Sequence, residues 1–197
     1  SEVRDDVRFF LDCVRLEEPD YPLFLLGHST GGLIALEYVL HDPARLSGVI
    51  ASGPLLSPLP VSPVLIAVSK ILSRVWPGLL LPTGLEVEAL SRDPQVVAAY
   101  VADPLVHGLG SPRMGVELMA AIEWTQEHAM ELALPSLIIH GGDDRLCLPE
   151  SSLAFFNNVS AADKERHVYE GYFHEIFNEP GKDRVLADVE AWLEGHL

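Results

Sequence analysis

The stretch Leu23–Gly32, LFLLGHSTGG, does most to constrain what this 197-residue chain can fold into. Four apolar residues, Leu23-Phe24-Leu25-Leu26, end at Gly27, and His28, Ser29, Thr30, Gly31 and Gly32 lead into a helical pattern from Leu33. A buried-type strand therefore has to turn at once into a helix, with Ser29 at the tip of the turn. Glycines two positions either side of the serine let the strand and helix backbones pass without Cβ clashes. The same turn aims the helix N-terminus, with its free N–H groups, at the space in front of the serine oxygen. Gly-x-Ser-x-Gly in this setting is the arrangement that exposes a nucleophilic serine.

The chain around that turn reads as alternating strands and helices. Val3, Val7, Phe10, Leu11 and Val14 fall on one face of an amphipathic helix that ends before Pro19. After the strand Leu23–Gly27 and a helix from about Thr30 to His41, Leu46–Ser52 (LSGVIAS) reads as a second buried strand closed by Gly53-Pro54. Strand, helix and strand at this spacing make a βαβ unit and so a parallel sheet. Leu137–His140 and Arg166–Glu170 continue the strand pattern, with a helix from about Pro149 to Asn158 between them. A closing helix carries Val185, Leu186, Val189, Trp192 and Leu193 inward.

Between the second and third of these strands the texture changes. Residues 55–82 are rich in Pro, Leu and Val, and the segment Pro63–Val75 is helical but apolar on more than one face (Val64, Leu65, Ile66, Val68, Ile71, Leu72, Val75, with Trp76 beyond). Further helical patterns lie around Pro94–Val101 and Pro112–Glu131, and no strand is clear. The stretch reads as a helical cap inserted between sheet strands, with the excess apolar surface that a pocket lining needs. The expected organisation is a first core part over 1–54, a cap over 55–132 and a second core part over 133–197.

Composition removes several partners. With 13 Lys+Arg against 29 Asp+Glu, the formal net charge is −16, which argues against a nucleic-acid backbone or an anionic membrane leaflet as the main partner. Cys13 and Cys147 lie far apart without CxxC spacing, so neither a disulfide framework nor a zinc site is indicated. Both are expected to be small, partly buried hydrophobes in a reduced, cytoplasmic compartment. The opening Ser1-Glu2-Val3-Arg4-Asp5-Asp6 is charged where a signal peptide would be apolar. No uninterrupted run of about 18 apolar residues suggests a transmembrane helix.

A serine hydroxyl becomes a nucleophile only when a base takes its proton, and the base needs an acid to hold it. In open parallel sheets such groups gather at the carboxyl ends of strands. Asp143 and Asp144 follow the strand Leu137–His140, and His174 follows the strand Arg166–Glu170. Serine, then acid, then histidine is the order required of a serine at a strand-to-helix turn. The other histidines fit less well: His41 ends a helix, His107 and His128 lie in the cap, His140 precedes the acid, His167 starts a strand, His196 is near the terminus, and His28 adjoins the serine. His174-Glu175-Ile176-Phe177-Asn178 begins like an HExxH zinc helix but places Asn178 at the second ligand position. Neither GxxxxGK[ST] nor GxGxxG occurs. No metal and no organic cofactor is expected.

GHSTGG, HGGDDRLCLP and YEGYFHEIFNE resemble the corresponding blocks of the monoacylglycerol lipase/lysophospholipase group of α/β-hydrolases, and SRDPQVVAAYVADPL at Ser91–Leu105 resembles that group's lid-flanking segment. The resemblance covers nearly the whole chain and implies an α/β-hydrolase fold. It assigns Ser29 as nucleophile, Asp144 (the residue directly before Arg145-Leu146) as acid and His174 as base. Thr30 stands where methionine is commoner, and its backbone N–H is expected to supply one oxyanion donor. A second donor in this fold comes from a loop before the elbow, near an HG-x-G motif. Residues 1–22 hold only a helix and a turn, so the chain is expected to be the C-terminal portion of a longer hydrolase, with the Leu23–Gly27 strand open on one side. Losing one oxyanion donor lowers turnover about 10²–10³-fold, so the chain alone is expected to be weakly active.

The implied function is hydrolysis of monoacylglycerols, lysophospholipids or similar single-chain acyl esters through an acyl-enzyme, with the cap accepting the acyl chain and touching a lipid surface transiently. The alternatives are a non-catalytic lipid- or partner-binding module, or a thioesterase or acyltransferase using the same three residues.

Overall fold

The computed structural model describes residues 2–58 and 62–197. Helix α1 (Glu2–Glu17) leads to strand β1 (Phe24–His28), helix α2 (Thr30–His41) and strand β2 (Gly48–Ser52). The stretch that follows holds helix α3 (Pro63–Val75), the two-residue strand β3 (Leu81–Pro82), helix α4 (Pro94–Ala102), strand β4 (Leu109–Gly110) and helix α5 (Pro112–Glu127). Strand β5 (Ser136–Gly141), helix α6 (Pro149–Asn158), strand β6 (Lys164–Tyr169) and helix α7 (Lys182–Glu194) complete the chain. Helices α3, α4, α5 and α6 each open with a proline in the first turn, where the missing N–H has no intrahelical partner to lose.

The main sheet has four parallel strands in the order β1-β2-β5-β6. Its central strands are wholly buried, as expected where helices cover both faces. Alternation then sorts their side chains. Val49, Ala51 and Ile138 join Leu33, Leu36 and Phe155 in one cluster. Ile50, Leu137 and Ile139 join Tyr169, Val185, Val189 and Trp192 in the other. Among the described strands β1 pairs only with β2, so it forms an edge, and Leu26 on it is 47% exposed.

Helix α2 meets α5 through a stack of three rings. Trp124 of α5 lies between His41 at the end of α2 (centroids 3.9 Å apart) and His128 (4.1 Å). His128 Nδ1 bonds the Trp124 carbonyl at 2.8 Å. The chain turns out of α5 at His128, and a short 3₁₀ turn over Ala129–Glu131 follows where continuous helix was expected.

Three further expectations are corrected. Of the apolar face read on α1, Leu11 is buried and Val7 packs against the core, whereas Phe10 and Val3 are exposed. The inserted stretch does contain strand: β3 and β4 pair antiparallel through Leu81↔Gly110 and Pro82↔Leu109, a ladder too short to show in the sequence. Cys147 is buried, but Cys13 is exposed. Among the described residues no helix is long and apolar enough to cross a membrane.

Candidate active site

Ser29 sits between β1 and α2 at φ 56°, ψ −121°, a left-handed conformation that costs a non-glycine residue about 1–3 kcal/mol. Its backbone is held there from several directions. The Ser29 N–H donates to the Ser52 carbonyl at 2.9 Å, and the Ser29 carbonyl accepts from Gly32 N (3.0 Å), Leu33 N (3.2 Å) and Leu55 N (3.1 Å). A Cβ on Gly27 would lie 2.1 Å from the Gly31 carbonyl oxygen, and one on Gly32 would lie 2.9 Å from Pro54 Cβ, whereas one on Gly31 would meet nothing within 4 Å. The close approach expected of Gly27 and Gly31 therefore belongs to Gly27 and Gly32. Thr30 opens α2, so its N–H is one of the first-turn donors that a helix leaves without an internal partner.

The acid and the imidazole meet at the ends of β5 and β6. His174 Nδ1 lies 2.7 Å from Asp144 Oδ2, both groups being buried. Asp144 Oδ1 accepts from the backbone N–H groups of Leu146 (2.8 Å) and Cys147 (2.9 Å), and His140 Nε2 lies 3.2 Å from Oδ2. Burial alone would raise the Asp144 pKa, but these hydrogen bonds from His140, His174 and the Cys147 N–H more than offset it and hold the carboxyl well below the usual carboxylate range. Of the two adjacent acids, Asp143 is exposed, and it is Asp144 that bonds the imidazole.

Cys147 joins this pair to the elbow. Its N–H bonds Asp144 and its thiol lies beside the Ser29 side chain. Burial first, and then the Asp144 charge, push the thiol up to about 12, so it stays protonated beside the serine. A Cβ on Gly53, next to the Ser52 that anchors Ser29, would lie 3.4 Å from the His174 ring and 3.5 Å from Asp144 Oδ2.

Four side chains to which the sequence assigned no role complete the surroundings. His140, fully buried, places Nε2 2.7 Å from the Cys147 carbonyl and Nδ1 2.9 Å from the Ser152 hydroxyl. Glu179, also buried, accepts from Arg92 Nε (2.6 Å), the Arg92 N–H (2.8 Å) and the Phe173 N–H (3.3 Å), tying the residue before His174 to the inserted stretch. Glu175 donates its N–H to the Leu90 carbonyl at 2.8 Å, and its carboxylate meets His28 Nε2 at 3.2 Å. The hydrogen bond from His28 is the first cause holding the Glu175 carboxyl below its ordinary value. In the sequence the only signal was position: His140 ends a strand, His28 and Glu175 adjoin the proposed nucleophile and base, and Glu179 closes the same loop.

A serine at positive φ between a parallel strand and a helix, followed along the chain by a bonded acid and histidine at later strand ends, is how α/β-hydrolases are built. The comparisons agree. The family described as serine aminopeptidase, S33, matches residues 1–181. The chain is 38% identical over 200 residues to a monoacylglycerol lipase of Mycolicibacterium smegmatis, covering all of this chain and 71% of that protein. It is 34% identical to phospholipase YtpA of Bacillus subtilis, covering all of this chain and 76% of that one. The crystal structure of Paleococcus ferrophilus monoacylglycerol lipase superposes with a TM-score of 0.89 at 33% identity, covering 98% of this chain and 76% of that chain. This protein belongs to the serine aminopeptidase S33 family of α/β-hydrolases, in the monoacylglycerol lipase group.

Proposed function

We propose that this serine ester hydrolase cleaves single-chain acyl esters, monoacylglycerols and lysophospholipids, with Ser29 as nucleophile, His174 as base and Asp144 as the acid that holds it. The observation that carries the reading is the 2.7 Å bond between buried Asp144 and His174 Nδ1, which leaves Nε2 as the proton-accepting nitrogen. His174 Nε2 takes the Ser29 proton as Oγ attacks the ester carbonyl, and Asp144 stabilises the imidazolium. The Thr30 N–H donates to the oxyanion. Collapse of the tetrahedral intermediate passes the proton from His174 to the leaving alcohol and leaves Ser29 acylated. A water deprotonated by His174 then attacks the acyl group, and the fatty acid departs as Ser29 regains a proton.

The residues between β2 and β5 act as the cap in this reading. A cavity of about 660 Å³ is lined by Leu56, Ile66, Val116, Met119 and Ile122 among others, and the neighbouring Leu55 holds the Ser29 carbonyl; this is the place for the acyl chain. Val64, Leu65, Ile71, Val75 and Trp76 are each more than half exposed and form the face that meets a lipid surface. With a net charge of −16, that surface is neutral or zwitterionic. Two relatives named for monoacylglycerol and phospholipid hydrolysis support this substrate range.

The test is labelling with a fluorophosphonate together with release of fatty acid from mono-oleoylglycerol and oleoyl lysophosphatidylcholine. Labelling and hydrolysis that both vanish in Ser29→Ala are expected. Undiminished labelling of that variant removes Ser29 as nucleophile, and fatty-acid binding without acylation points to a binding module.

A further inference from the structure

We propose that His28, His174 and Glu175 form a zinc-binding site through which Zn²⁺ switches the hydrolase off reversibly. One ligand atom from each side chain lies within 4.8 Å of the others. The two imidazole rings are 4.7 Å apart between centroids, and His28 Nε2 is 3.2 Å from Glu175 Oε1. Each ring is engaged at Nδ1 by an oxygen, His28 by Ser52 Oγ at 3.0 Å and His174 by Asp144 Oδ2 at 2.7 Å. The Nε2 atoms are the ones left to face a metal. A carboxylate behind a histidine is the outer partner that orients metal-bound imidazoles and raises their basicity, and Asp144 already holds that place behind His174.

Two histidines and a carboxylate are a zinc donor set that leaves a fourth position for water. Hard cations such as Mg²⁺ prefer all-oxygen ligands and keep their water, so the set selects against them. The side chains of His28 and Glu175 are 25% and 24% exposed, so an ion has access from solvent. Glu175 is already held as an anion by His28, while Asn178 Nδ2 bonds its other oxygen at 3.0 Å. Zinc bonds of about 2.1 Å at tetrahedral angles place ligand atoms about 3.4 Å apart, so binding draws the widest pair inward by a modest side-chain rotation.

The HExxH reading failed along the chain because Asn178 occupies the second ligand position. Folding supplies the second imidazole from the elbow instead. The expectation of no metal came from spacing within one segment, and this site is assembled from two.

Binding is exclusive with base function. Zinc takes the His174 Nε2 lone pair, the one that receives the Ser29 proton in the proposed function, and the His28 proton facing Glu175 is replaced by one on Nδ1, where Ser52 Oγ at 3.0 Å accepts it, so that His28 binds as a neutral imidazole. The effect on turnover rests on that functional reading, but binding itself does not.

The experiment is a calorimetric titration of the whole chain with ZnCl₂, with MgCl₂ as control, beside hydrolysis of a p-nitrophenyl ester with and without Zn²⁺. Expected are one Zn²⁺ per chain, no Mg²⁺ binding, and inhibition by Zn²⁺ that EDTA reverses. His28→Ala and the near-isosteric Glu175→Gln each weaken Zn²⁺ binding by about tenfold or more, and exposed His107→Ala leaves it unchanged. Absence of stoichiometric binding, or binding untouched in both His28→Ala and Glu175→Gln, overturns the proposal. Zinc binding in a chain that hydrolyses no ester keeps the metal site and discards the functional reading, whereas ester hydrolysis without zinc binding does the reverse.

Discussion

His174 and His140 converge on one oxygen of Asp144, the first at 2.7 Å through Nδ1 and the second at 3.2 Å through Nε2. Because His140 Nε2 also lies 2.7 Å from the Cys147 carbonyl, an oxygen that can only accept, the proton on Nε2 is shared between that carbonyl and the carboxylate. The other carboxylate oxygen is closed by two backbone N–H groups. The acid thus has one orientation, fixed on every side before any substrate arrives.

Replacing Asp144 by Asn keeps the shape and removes the charge. An amide nitrogen in place of Oδ2 cannot accept from His174 Nδ1, so the imidazole loses its correct tautomer. The expected outcome is a kcat roughly 10⁴-fold lower with KM little changed, read from steady-state hydrolysis. A loss of less than tenfold would show that Asp144 is not the group holding the base.

The same carboxylate makes stability depend on pH in a defined direction. Its folded-state pKa lies below the ordinary 3.8, and Glu175 is shifted the same way from 4.5. A depressed carboxylate contributes stability that is fully present above the unfolded value and is lost as pH falls through the folded one. Urea midpoints of the wild type should therefore fall below about pH 4 more steeply than those of Asp144→Asn. Parallel curves for the two proteins contradict the assignment of this linkage to Asp144.

Gly27 and Gly31 look equivalent in the motif but not in the fold. Alanine at 27 drives its Cβ to 2.1 Å from a backbone oxygen, a clash that no rotamer relieves, and is expected to destabilise by about 3 kcal/mol or more. Alanine at 31 enters open space in the first turn of α2 and is expected to change stability by less than about 1 kcal/mol, on the stabilising side. Thermal unfolding of the two variants separates these outcomes.

The two cysteines should differ just as plainly. Cys13 is exposed and Cys147 buried, the latter with its thiol pushed up to about 12, and the thiolate is the reactive form. A chromogenic aryl disulfide at neutral pH should report one thiol per native chain and two in denaturant. Blocking Cys13 should leave ester hydrolysis unchanged. Rapid reaction of both thiols in the native protein would show that the Cys147 side opens readily.

Strands β1, β2 and β5 were legible in the sequence because each is an apolar run bounded by Gly, Pro or Asp, and Pro63, Pro94, Pro112 and Pro149 mark helix starts directly, whereas the largely polar β6 (KERHVY) carries no such run. Ser29 announces itself through the backbone it requires. What lay out of reach are contacts that exist only once strands are side by side. His140 looked wrong because it precedes the acid in the chain, but the turn after β5 folds Asp144 back towards it. Glu179 and Arg92 are separated by 87 positions, and nothing local in either predicts the pairing. The exposed Phe10 shows the opposite limit, since helical periodicity says which residues share a face without saying what that face touches.

The stack of His41, Trp124 and His128 gives the protein its own optical gauge. One imidazole rides on the helix that starts at the elbow, while the indole and the other imidazole belong to α5 and the turn that ends it. Imidazole against an indole face dims its emission, so the pair within the α5 end sets a constant background and the contact from His41 adds to it. Any movement that lifts α5 from α2 removes His41 alone and brightens Trp124. With Trp76 and Trp192 replaced by Phe, the fluorescence lifetime of Trp124 therefore reads the seating of the inserted helices on the helix behind Ser29, with no label attached.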